Sequence, residues 1–116
     1  MQITADSMMA MAIKWFPDIG ANEDLQRFRR STAREIDVYS FLPDVIYRAV
    51  LIPLLDNAND DKLQHYFAFV EALLRDADAN LFAAVQLRLI PYLRASYVWD
   101  EVGDAYAGPL LRAAPY

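Results

Sequence analysis

The chain has 116 residues, no cysteine, a formal net charge of −5 and a pI of about 4.6. That length suits one domain, 1–116, with roughly 6,500 Å² of folded surface and about two-thirds of the extended chain's surface buried. The missing cysteines remove disulfides, thiolate metal sites and cysteine catalysis, and the acidic balance argues against nucleic-acid binding, which needs surplus Lys and Arg.

Three glycines among abundant Ala and Leu point to helices. Thr4 or Asp6 is placed to cap a first helix over 7–16, whose Met8, Met9, Ala12, Ile13 and Phe16 fall on one face. Pro17 ends it, and Asp18-Ile19-Gly20 reads as a turn. Asn22 caps a second helix expected to reach about Glu35, with Glu23 and Asp24 in the first turn where the helix dipole favours negative charge. A third helix is expected from about Phe41 to Leu55, with Pro43 near its start, followed by a polar loop from Asp56 to Asp60. Asp60 is read as the cap of a fourth helix over 61–75, whose Leu63, Tyr66, Phe67, Val70, Leu73 and Leu74 trace an apolar stripe. Asp78 caps a fifth helix over 79–95; the pattern weakens around Gly103, and Pro109 falls within 106–111, where a short C-terminal helical turn is expected.

An offset of 19 residues aligns Leu51, Val70 and Leu89, and also Tyr47, Tyr66 and Val85. Two such units approach the length of a helical solenoid repeat, while an antiparallel bundle of equal helices gives the same spacing. The expected fold is therefore all-α, with five to six helices in a bundle or a short HEAT-like helical-hairpin array. Pro53 and Pro91 fall inside helical patterns, so a kink or a break is expected at each.

Few residues suggest chemistry. Asp76-Ala77-Asp78-Ala79-Asn80 opens like a calcium loop, but Leu81 and Leu87 stand where that loop needs Gly and Glu. His65 is the only histidine, the serines lie in no nucleophile motif, and no glycine-rich phosphate loop exists, so no catalytic residue, metal or cofactor is implied. Glu71 is flanked by apolar neighbours and is expected to pair with Arg75 one turn on, or to border a small-molecule pocket. Arg27, Arg30 and Arg34 share a helix face, either as a phosphate grip or as a solvated face balanced by acids. Asp56, Asp60, Asp61, Asp76, Asp78, Trp99, Asp100, Glu101 and Asp104 form the expected partner-binding set, with the aromatics around Trp99 serving as interface or as a lid over the core. The N-terminus has no basic region with an apolar run, and the longest uncharged stretch, Ala79 to Leu87, is far short of the ~20 residues of a membrane span, so a cytoplasmic chain is expected.

The run from Leu63 to Leu74, with the F-x-x-x-E-x-L-L pattern of Phe67 and Glu71, the acidic turn that follows and the late Ala107-Gly108-Pro109, resembles a family of small all-helical bacterial proteins similar to toxin-system immunity proteins. Pro91 departs from that pattern, which has Glu before the last leucine of the following helix. The resemblance covers about half of the chain. It implies a non-catalytic protein-binding module that occludes a basic toxin domain, with the alternative of a small-molecule-binding or regulatory helical domain.

Overall fold

The computed structural model describes residues 2–31, 36–57 and 59–114. Among them the backbone forms seven helices and no strand, which bears out the all-α expectation. Short polar side chains start most of these helices. Thr4 accepts the Ser7 N–H at 3.2 Å and Ser7 Oγ accepts the Thr4 N–H at 2.9 Å, a reciprocal cap that opens α1 (Ala5–Trp15). After a 3-10 turn (Pro17–Ala21), Asn22 accepts the Leu25 N–H at 3.1 Å and opens α2 (Glu23–Arg30). This helix ends a turn before the expected limit, because Ser31 is extended; Arg34 and Glu35 lie outside the described residues.

The third helix, α3, runs Val38–Asn57, longer at both ends than the sequence pattern implied. Between Leu42 and Leu51 it widens into π-type turns, and the Ile52 N–H bonds the Tyr47 carbonyl five residues back. The cause is visible at Pro43, which lies in the second turn rather than the first. Proline has no N–H and its ring crowds the carbonyl four residues back, here Tyr39, so a wider turn relieves the clash. Arg88 Nε then supplies the donor that the Tyr39 carbonyl lacks, at 2.9 Å. By length and composition α3 is apolar enough to cross a membrane, yet half of its apolar window is buried within the protein.

Asn59, not Asp60, caps α4 (Asp60–Asp76), accepting the Lys62 N–H at 3.0 Å. Asp78 caps α5 by accepting the Leu81 N–H at 2.8 Å, as its sequence position suggests. α5 runs Ala79–Arg88, breaks at Leu89 and resumes as the single turn Ile90–Leu93, with Pro91 in its first turn. The expected continuous helix to residue 95 is therefore two pieces, and Pro91 marks the break rather than a kink. α6 covers 96–106 with a π-type turn at Trp99–Gly103, and α7 is Pro109–Ala113. Gly103 is required where it stands, since a side chain there would run into the Trp99 ring.

α4 is the centre of the molecule. Its Tyr66, Phe67, Phe69, Val70 and Leu73 are fully buried, a face wider than a single stripe. Phe16 of α1 packs edge-on against Phe69 with ring centroids 4.9 Å apart, and Tyr66 donates its hydroxyl to the Ile46 carbonyl of α3 at 2.9 Å. Phe67 stacks on Tyr106 of α6. A linear repeat array would let each helix touch only its neighbours; here one helix is surrounded, so the arrangement is a bundle. The 19-residue offset marks equivalent core positions: Leu51, Val70, Leu89, Tyr47, Tyr66 and Val85 are all buried. The N-terminal strand-like residue Ile3 is clipped to the α4–α5 turn, donating to the Asp76 carbonyl and accepting from the Asp78 N–H, both at 2.8 Å. The folded surface is 6622 Å².

Two consequences are measurable. Tyr66→Phe removes a buried hydrogen bond and should cost about 1–2 kcal/mol in urea unfolding. Burial raises the hydroxyl pKa values of Tyr66 and Tyr47 above the ordinary 10.0, with the Tyr97 hydroxyl contributing at Tyr47. A raised folded-state value means the native state keeps protons that the unfolded chain releases. Stability should therefore be fully present below pH 10.0 and fall above it, with a shallower fall in Tyr66→Phe.

Candidate functional site

Glu71 projects from the middle of α4 toward the start of α7. Its Oε1 accepts the Leu110 N–H and its Oε2 the Leu111 N–H, each at 2.9 Å. These are amides of the first turn of α7, which have no partner inside their own helix. The N-cap of α7 is Gly108, which has no side chain to accept them, and Pro109 follows at N1. Glu71 is thus a cap supplied from another helix, and its negative charge meets the positive end of the α7 dipole. Gly108 serves the same contact, because a Cβ there would overlap the Glu71 carboxyl group.

This corrects the expected ion pair. Arg75 grips Asp76, with Nη2 to Oδ2 at 2.8 Å, and that guanidinium holds the Asp76 carboxyl below its usual pKa. The surface beside Glu71 is an open hollow bordered by Gln64, Phe67 and Tyr106, and both Glu71 oxygens are already committed to backbone.

The acidic residues expected to bind a partner fall into two groups. Asp56 closes α3, and Asp60 and Asp61 open α4, all three exposed. Tyr106 of α6 donates its hydroxyl to Asp60, which raises the Tyr106 pKa, and Asp100, Glu101 and Asp104 lie earlier on the same helix. Asp104 pairs with Arg112 at 3.2 Å. Asp76 and Asp78 lie at the opposite end of α4, about 24 Å away for a helix of this length. Asp76 accepts from Arg75 and clips Ile3 through its backbone; Asp78 caps α5. Both have jobs inside the fold.

Trp99 is half-buried, with the Arg94 guanidinium 3.9 Å above its ring and Gly103 beneath it, so it lies as a lid on the core. Tyr97 is exposed at its ring but anchored through its hydroxyl to Tyr47 at 2.6 Å. Arg27 is held by Asp44 of α3 at 2.8 Å, which ties α2 to α3. Among the described residues no three of His, Asp and Glu gather closely enough to hold a metal ion.

Two features escaped the sequence reading. One is the Glu71 cap, signalled in the chain by a helix start, Gly108-Pro109, that lacks its own side-chain acceptor. The other is a pocket of about 550 Å³ between the end of α1, the 3-10 turn, α3 and the start of α4, with His65 at its edge. His65 stacks on Trp15 with centroids 4.9 Å apart and donates from Nε2 to the Trp15 carbonyl at 2.7 Å. Its position at helical spacing gave no hint of a partner 50 residues away.

No family model, curated protein or solved structure matches this chain.

Glu71→Ala should lose about 2–3 kcal/mol, because two amides lose a charged acceptor. Gly108→Ala should cost a comparable amount, and the double variant little more than either alone, since both changes break one contact. Urea unfolding of the four proteins measures this, and full additivity would contradict the shared contact.

Proposed function

We propose that the chain is a non-catalytic protein-binding module, an immunity protein that neutralises a cognate bacterial toxin by covering a basic surface of it. The observation that carries this reading is a set of exposed, unengaged carboxylates. Asp56, Asp61, Asp100 and Glu101 are exposed and make no ion pair or hydrogen bond with any described residue. Carboxylates that support no fold contact are free to meet another molecule. Their charge draws in a basic partner over several ångströms, raising the association rate more than the final affinity.

The contact set narrows accordingly. Asp56, Asp60, Asp61, Asp100, Glu101 and Asp104 remain as the proposed contacts, while Asp76, Asp78 and Trp99 are engaged in holding the fold. Glu71 and Gly108, two of the residues that carry the family resemblance, meet in one structural contact, which supports reading them together. A cytoplasmic location suits such a role.

The test is co-expression with the neighbouring open reading frame, followed by calorimetry and stopped-flow binding of the purified pair. Lysine at 56, 61, 100 and 101 together should slow association at least about tenfold at low salt and leave melting unchanged. Asparagine at position 76 should leave binding intact. Failure of the pair to associate, or equal association by the lysine variant, would contradict the reading.

A further inference from the structure

The pocket beside Trp15 has the make-up of a small-molecule site, and it stands independently of the exposed carboxylates. Its volume of about 550 Å³ falls within the roughly 300–1,000 Å³ range of ligand pockets. Trp15, Phe16, Ile19, Val50, Pro53 and Leu54 give it apolar walls. Three elements far apart in sequence frame it, the end of α1, the second half of α3 and the first turns of α4.

Its charges cancel. Lys62 and Asp18 face one another at 4.0 Å on the rim, and the remaining polar residues are the amides Asn22 and Asn57 and the imidazole of His65, which bonds the Trp15 carbonyl. A charged ligand would give up hydration on apolar walls without an unpaired counter-charge to meet it.

The fold has used half of each amide side chain and left the other half. Asn22 Oδ1 accepts the Leu25 N–H, which leaves its NH₂ group. Asn57 donates Nδ2 to the Pro53 carbonyl at 3.1 Å, which leaves Oδ1. His65 donates from Nε2 to the Trp15 carbonyl, which can only accept. One free donor, on Asn22, and one free acceptor, on Asn57, thus edge an apolar cavity with an indole in its wall.

We propose that this pocket binds an uncharged, flat, ring-containing molecule that carries both a hydrogen-bond donor and an acceptor, such as a bicyclic lactam or a heteroaromatic amide. The rings lie against Trp15 and the α3 side chains, and the polar edge meets Asn57 and Asn22.

The probe is carbostyril, a neutral bicyclic lactam with one N–H and one C=O, with naphthoate and naphthylmethylammonium as charged counterparts of similar size. Amide and indole chemical shifts of the isotopically labelled full chain are followed during titration. Expected is saturable binding of carbostyril, with shifts centred on Trp15, Val50 and Leu54 and a moved Trp15 indole signal. Binding should be about fivefold to tenfold weaker in Asn57→Ala, the loss of one neutral hydrogen bond. It should vanish in Ala49→Phe, which fills the cavity. If Ala49→Phe fails to fold, as its melting curve would show, Asn57→Ala carries the test alone. Absence of saturable shifts, shifts scattered over the surface, unchanged affinity in Asn57→Ala, or tighter binding of either charged probe would overturn the proposal.

Discussion

One carboxylate holds the C-terminal part of this molecule to its centre. α7 is five residues long, too short to persist alone, since helix nucleation costs more than so few hydrogen bonds return. It is stabilised by burial of Leu111 and by the two Glu71 bonds to its first amides. The Arg112 that follows in the same turn reaches back to Asp104 and to the Ala107 carbonyl, so α6 and α7 are fastened together on the surface of α4. Without the Glu71 contact, α6 would keep its own ties to α4 through Tyr106, and α7 would lose its anchor.

The prolines work through the same accounting of backbone groups. Each removes a donor, and the structure answers each loss differently. At Pro43 the helix widens and Arg88 reaches across from α5 to the Tyr39 carbonyl. At Pro91 the helix breaks at Leu89 and restarts. At Pro109 there is no loss, because the first turn of a helix has no use for that N–H. Backbone groups left open by a proline or by a helix end are filled by long polar side chains from other helices: Arg88 bonds the Tyr39 carbonyl, His65 the Trp15 carbonyl and Glu71 the first amides of α7. These long-range bonds, more than ion pairs, order the helices around α4. The exposed ion pairs add little, as solvent-screened pairs do.

Much of the fold was legible in the chain. The caps Thr4, Asn22 and Asp78 and the apolar stripe of α4 stand where helix physics puts them. Helix ends were less legible. Asn59 and Asp60 are both good caps, and local sequence does not decide between them. The donor that serves the Tyr39 carbonyl beside the π-type turns of α3 is Arg88, 49 residues away. The role of Glu71 failed for a related reason. On one helix its nearest cation is Arg75, and a helical wheel favours that pair. Only the packed structure shows that Arg75 has Asp76 and that two bare amides 39 and 40 residues away need an acceptor. The acidic residues looked uniform in sequence, yet Asp76 and Asp78 belong to the fold, while Asp56, Asp61, Asp100 and Glu101 belong to the surface.

Amide hydrogen exchange in the wild-type chain and in Glu71→Gln addresses the central claim most directly. If Glu71 is the cap of α7, the Leu110 and Leu111 amides should exchange slowly in the wild type and at least about tenfold faster in the variant, while the Ile3 and Asp78 amides at the far end of α4 keep their protection. Fast exchange at Leu110 and Leu111 in the wild type, or equal protection in both proteins, would mean that the terminal helix is held by something other than this carboxylate.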